Sequence, residues 1–171
     1  MALSFLTSSE QTIEVVVTCD PAVECSTDQR SAYLETGDLT HLTITEGATA
    51  FTLKALSPSE REQAEIRAGA MTRSELGRLL WSQSPDDAEE KARWHHELSD
   101  SEREAMSQYQ QYLSRVYDEM IRSSLVSIDN EPANLDQLQM IRPESHRVQT
   151  ISELVLHIQR ISLIGDQGKC C

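Results

Sequence analysis

Between Leu56 and Ser57 the apolar residues change their spacing, from every second residue to every third or fourth, and this switch constrains the fold more than any other feature of the chain. Upstream, a period of two belongs to half-buried strands; downstream, a period near 3.6 belongs to helices that bury one face. The switch is marked by SPSE (57–60), where Ser57 suits an N-cap, Pro58 the first helical position, and Glu60 can reach back to the cap backbone as a capping box. The expected architecture is α+β. A small N-terminal antiparallel β part with a hairpin covers residues 1–56, a mainly α-helical body of about four to five helices covers 57–164, and a flexible tail covers 165–171.

In the β part, TIEVVV (12–17) is rich in β-branched residues and predicts a strand. The following TCDPAVECSTDQRSAYLETGD (18–38) reads as irregular, punctuated by Asp20-Pro21 and Gly37-Asp38. HLTITEGATAFTLKAL (41–56) has alternating runs on both sides of Glu46-Gly47, Leu42 and Ile44 on one and Phe51 and Leu53 on the other, and predicts the hairpin.

In the helical body, the Ser57 helix is expected to reach Gly69. TRSE (72–75) repeats the cap chemistry ahead of Leu76, Leu79 and Leu80, an apolar stripe on a helix ending near Ser84-Pro85. PDDAEEKARWHHEL (85–98) begins a third helix with its carboxylates in the first turn, where the macrodipole favours them. SDSE (99–102) opens the longest helix, through Ile128, with Met106, Tyr109, Leu113, Val116, Met120 and Leu125 largely on one face. After breaks at DNEPAN (129–134) and Arg142-Pro143, the last helix runs from about Ser145 to Leu163 with Val148, Ile151, Leu154, Val155, Ile158 and Ile161 as its apolar members, and Gly165 is expected to end it. The echo between LSPSERE (56–62) and LSDSERE (98–104) is two independent caps, since a repeat array needs at least a third unit.

A net charge of -13, with three lysines, repels phosphate backbones and anionic lipid, so neither nucleic acid nor a membrane is expected as a partner. No segment approaches the roughly 20 apolar residues of a membrane span, and MALSFLTSSEQ lacks the basic and apolar regions of a signal peptide. A cytoplasmic protein with four reduced cysteines is expected.

No reaction signature stands out, and no catalytic, cofactor or metal residue is assigned. Cys19 and Cys25 are spaced too widely for the usual zinc thiolate pair and need two further ligands. His95 and His96 are adjacent, which on a helix points them about 100° apart; HHEL is not the H-E-x-x-H arrangement, and no serine sits in G-x-S-x-G. GDQGK departs from a phosphate loop, with Leu163 and Cys170 where Gly and Ser or Thr are required. The final Cys170-Cys171 resembles a doubly prenylated ending but lacks basic residues upstream.

The step from strand to capped helix in AFTLKALSPSEREQAEIRAG (50–69), followed by an acidic helical body and a short tail, resembles the tail assembly chaperones of long-tailed bacteriophages, over about residues 40–165. The resemblance implies a non-enzymatic protein of the host cytoplasm that binds the tape measure protein and recruits tail tube subunits to it. In that family one message is read in two frames, with slippage on a run of guanines and adenines. Gly168-Lys169 can be encoded by such a run, and Cys170-Cys171 would then be the original-frame ending. Candidate partner-binding residues are Leu113, Val116 and Met120 on the long helix and Leu154, Ile158 and Ile161 on the last, although such stripes are more often plain core, since most amphipathic helices simply bury their apolar face. Two alternatives are a structural virion component, such as a head–tail connector or tail protein, and a metal-binding protein using the Cys19/Cys25 loop.

Overall fold

The computed structural model describes residues 12–69 and 75–167. It is α+β, with six short strands and seven α-helices among these residues. The chain divides into two compact units, one built from residues up to Glu62 together with those from Met120 onward, the other from Gln63 to Glu119. β-structure returns after the longest helix, so the first unit takes segments from both ends of the chain.

The first unit is built on a four-stranded antiparallel sheet in the order β1 (Thr12–Val15), β4 (Phe51–Lys54), β5 (Leu125–Ile128), β6 (Glu131–Pro132). Val15 pairs with Phe51, and Phe51 with Ile128, so three apolar residues line up at one end of the sheet. Between β1 and β4 lie β2 (Val23–Glu24), helix α1 (Thr27–Thr36), a 3-10 turn (Leu39–His41) and β3 (Thr43–Ile44). The expected hairpin across Glu46-Gly47 does not form: β3 pairs with β2, while β4 pairs with β1 and β5. Phe51 and Leu53 face inward as alternation implies, but Ile44 is 41% exposed, and alternation carries no information about the partner strand. The Leu125–Ile128 segment also leaves the helix predicted for it. β5 and β6 are joined by Asp129 (φ 50) and Asn130 (φ 66), the paired positive dihedrals of a tight hairpin turn, which a short polar residue tolerates.

Residues 18–38 are ordered, not irregular. Ser26 and Gln29 form a reciprocal capping box at the start of α1, and Gly37 ends it in the left-handed region at φ 75. This helix carries Tyr33 into a core of Val16, Val23 and Tyr33, flanked by Leu34, Leu39 and Leu42. After β6 come α6 (Leu135–Gln139) and α7 (Glu144–Gln167), the latter passing through Gly165 without stopping. A glycine costs a helix only about 1 kcal/mol.

The second unit takes α2 (Pro58–Ala68) from Gln63 onward, α3 (Glu75–Gln83), α4 (Ala88–Glu97), and α5 (Asp100–Ser124) up to Glu119. The predicted caps are present: Ser57 exchanges bonds with Glu60, and Ser99 with Glu102. Asp87 accepts from the backbone of Glu89 and Glu90. Leu80, Leu98 and Met106 pack together, with Trp94 against them. The cap residues 72–74 expected before α3 lie outside the described residues, as do residues 1–11 and the Gly168 to Cys171 segment.

The inward face of α3 is not the predicted stripe. Leu80 is buried beside Gly77, whereas Leu76 and Leu79 are 45% and 53% exposed. A Cβ added at Gly77 would collide with the Ala105 carbonyl, so α3 approaches α5 as closely as backbones allow. Gly→Ala within a helix ordinarily stabilises by roughly 1 kcal/mol. Gly77→Ala is expected to do the reverse, destabilising the second unit by about 2 kcal/mol through forced separation of the helices. Urea unfolding followed by the fluorescence of Trp81 and Trp94, both in this unit, measures it; a stabilised variant would contradict the packing.

No helix among the described residues is long and apolar enough to cross a membrane.

Candidate functional site

On α7 the residues left buried include polar ones. Thr150, Glu153 and His157 are each no more than 2% exposed, while Val148 and Leu156 are 55% and 45% exposed. The first unit surrounds most of this helix, so its polar members are buried along with Leu154 and Ile158.

Glu153 is the centre of a hydrogen-bonded cluster. Its carboxylate accepts from the Thr18 backbone N–H (2.7 Å), the Thr18 hydroxyl (2.6 Å), the Gln149 amide (3.0 Å) and the Arg30 guanidinium (2.9 Å). Burial pushes its pKa up, but these donors outweigh burial and hold it below the usual carboxylate value. It is therefore ionised, and every donor it needs comes from protein. That is the chemistry of a structural tie between α7, α1 and the end of β1, not of a proton donor or acceptor for a substrate.

One turn further along, the His157 ring packs against the Tyr33 ring, centroids 4.9 Å apart and planes tilted by 56°, and neither ring nitrogen has a hydrogen-bond partner among the described residues. Burial first, then the Arg160 charge, push its pKa down to about 4, against a smaller opposing pull from Glu153. The imidazole is neutral at pH 7. Tyr33 donates its hydroxyl to the Val16 carbonyl at 2.8 Å and accepts from the Val16 N–H at 3.1 Å, and its pKa is pushed up to about 12, chiefly by burial.

Beside this cluster a cleft of about 360 Å³ opens at the sheet end where Phe51 and Ile128 pair. The loop of Val17, Cys19 and Asp20 forms one wall, and Leu138, Ile141 and Arg142 form the other. His146 and Thr150, one helical turn apart on α7, complete it. The Cys19 thiol lies 3.4 Å from the Thr150 hydroxyl and 3.7 Å from the His146 carbonyl. Burial raises its pKa, so at neutral pH it is a thiol and not the thiolate a nucleophile requires.

Cys25 is not among the cleft residues, and neither cysteine is in a disulfide. Among the described residues no group of three or more His, Cys, Asp and Glu is arranged to hold a metal ion. Of the candidate partner-binding residues, Leu154 and Ile158 are fully buried in the first unit; Met120 and Val116 are buried, and Leu113 and Ile161 are half-buried. Four of the six are thus core side chains, so they do not form an exposed face. Glu153 and His157 escaped sequence reasoning. The signal available was the run LVLHI within TISELVLHIQRI (150–161), apolar around more than one face, which marks an enclosed helix whose polar residues are enclosed too.

Comparison of the chain with protein-family models, curated proteins and solved structures returned no match.

Proposed function

We propose that this chain is a non-enzymatic assembly chaperone of the kind its sequence resembles, one that holds the tape measure protein through an apolar helical surface and recruits tail tube subunits to it. The observation that carries the reading is the outer face of α3. Leu76 and Leu79, one turn apart, stay 45% and 53% exposed, whereas Trp81 lies on another side of the helix, its ring against Tyr109 and under Lys91. Two neighbouring exposed leucines on a nine-residue helix are what the apolar face of a partner helix packs against. The net charge of -13 keeps such a complex soluble. Exposure of Leu76 and Leu79 supports a partner surface on α3 of the second unit more than on the largely buried α5 and α7 stripes.

The test is co-expression with the tape measure protein of the same source, followed by size-exclusion chromatography. A co-eluting complex is expected, and Leu76→Ser with Leu79→Ser is expected to weaken it by about tenfold or more without unfolding the unit. Absence of a complex overturns the reading; a complex indifferent to both substitutions overturns the site. If the protein is found in purified particles at fixed stoichiometry, the reading of a structural virion component replaces this one.

A further inference from the structure

We infer that the cleft of the first unit binds a small amphipathic carboxylate, a molecule with one anionic head and an apolar body. This stands independently of partner binding by the second unit. The cleft volume of about 360 Å³ is at the small end of the range for ligand pockets. Val17, Phe51, Ile128 and Leu138 give its lining an apolar side for the body of the ligand.

The polar groups at the mouth are unequally committed. Asp20 is held by the protein, one oxygen accepting from the Ala22 N–H and the other from the Thr49 N–H, both at 2.9 Å. Arg142 is positioned by one nitrogen, which donates to the Gln139 and Ile141 carbonyls at 2.9 and 3.0 Å. Its other two guanidinium nitrogens make no hydrogen bond among the described residues, nor does the His146 ring. The uncommitted polar groups at the mouth thus include a guanidinium fork and an imidazole. A guanidinium edge matches a carboxylate in planar, two-bond geometry. The cleft lining carries one fixed cation, Arg142, and one carboxylate, Asp20, so it suits a single negative charge held directly on the guanidinium better than a dianionic phosphate.

Octanoate is the probe. In an amide-resolved NMR titration of the full chain, saturable shifts are expected at Thr49, Ile141 and Thr150, with octanol weaker and octyltrimethylammonium weaker still. Arg142→Gln is expected to weaken octanoate about tenfold and leave octanol unchanged. As a second readout, saturating octanoate is expected to slow alkylation of Cys19 by iodoacetamide and leave Cys25 unaffected, in a Cys170→Ser, Cys171→Ser background. The inference is overturned by the absence of saturable shifts at millimolar octanoate, by shifts outside the cleft, or by equal binding of the three head groups. Unchanged octanoate affinity in Arg142→Gln overturns it as well.

Discussion

Glu153→Gln is expected to destabilise the first unit by about 3 kcal/mol, the lower end of what is lost when one partner of a buried ion pair is removed. The glutamine keeps the shape but places an NH2 group where an oxygen now accepts, against donors from Thr18, Gln149 and Arg30. At least one donor must then be left without an acceptor in a site where the carboxylate is 1% exposed. The estimate falls at the lower end because Arg30 is 43% exposed and regains water when its partner is neutralised. For the same reason Arg30→Gln is expected to cost only about 1 kcal/mol, since Glu153 keeps its Thr18 and Gln149 donors. Amide hydrogen exchange at Leu53, fully buried in the central strand β4, reports the first unit alone. Equal protection in wild type and Glu153→Gln would show that the cluster contributes no stability.

The second large effect is a loss of stability in acid caused by one histidine. His157 titrates at 6.5 when unfolded and about 4 when folded, because burial and the Arg160 guanidinium oppose its protonation more than Glu153 favours it. Tyr33 is the other titratable group against the ring. A depressed histidine pKa means that the unfolded chain binds the proton first. Its contribution to stability is therefore complete above about pH 6.5 and is lost as pH falls toward 4. At about 1.4 kcal/mol for each pH unit of that interval, the loss approaches 3 kcal/mol. Glu153, whose folded pKa is lowered from 4.5, adds its own loss only below that value, so the range from pH 6.5 to 5 isolates the histidine. His157→Phe keeps a ring against Tyr33 and removes both unpartnered nitrogens. Its stability is expected to be flat over that range, while that of wild type declines. Parallel slopes for the two proteins would rule out His157 as the source.

A tertiary network of this kind was only partly legible in the chain. The capping boxes at Ser57 and Ser99 were read correctly because each is closed by residues three apart, whose geometry a local segment dictates. The Ser26 box follows the same rule with Gln29, but it sits between the turn signals Asp20-Pro21 and Gly37-Asp38, which mask a ten-residue helix. The cleft shows the opposite case. Cys19, Asp20, Thr49, Arg142 and His146 come from segments separated by long stretches of chain, and no local pattern marks them as neighbours.

What the amino-acid order determined by itself is the α+β class, the switch of period at Ser57 and the starts of the capped helices, all set by backbone geometry and side chains within a turn of each other. What only the tertiary structure decided is which strand lies beside β4, which face of α3 meets α5, and which polar residues of α7 are enclosed. The bond from Thr18 to Glu153 joins residues 135 apart. Burial and strand pairing at that separation depend on how the surfaces of several elements fit together, and a period in the sequence describes only one of those surfaces.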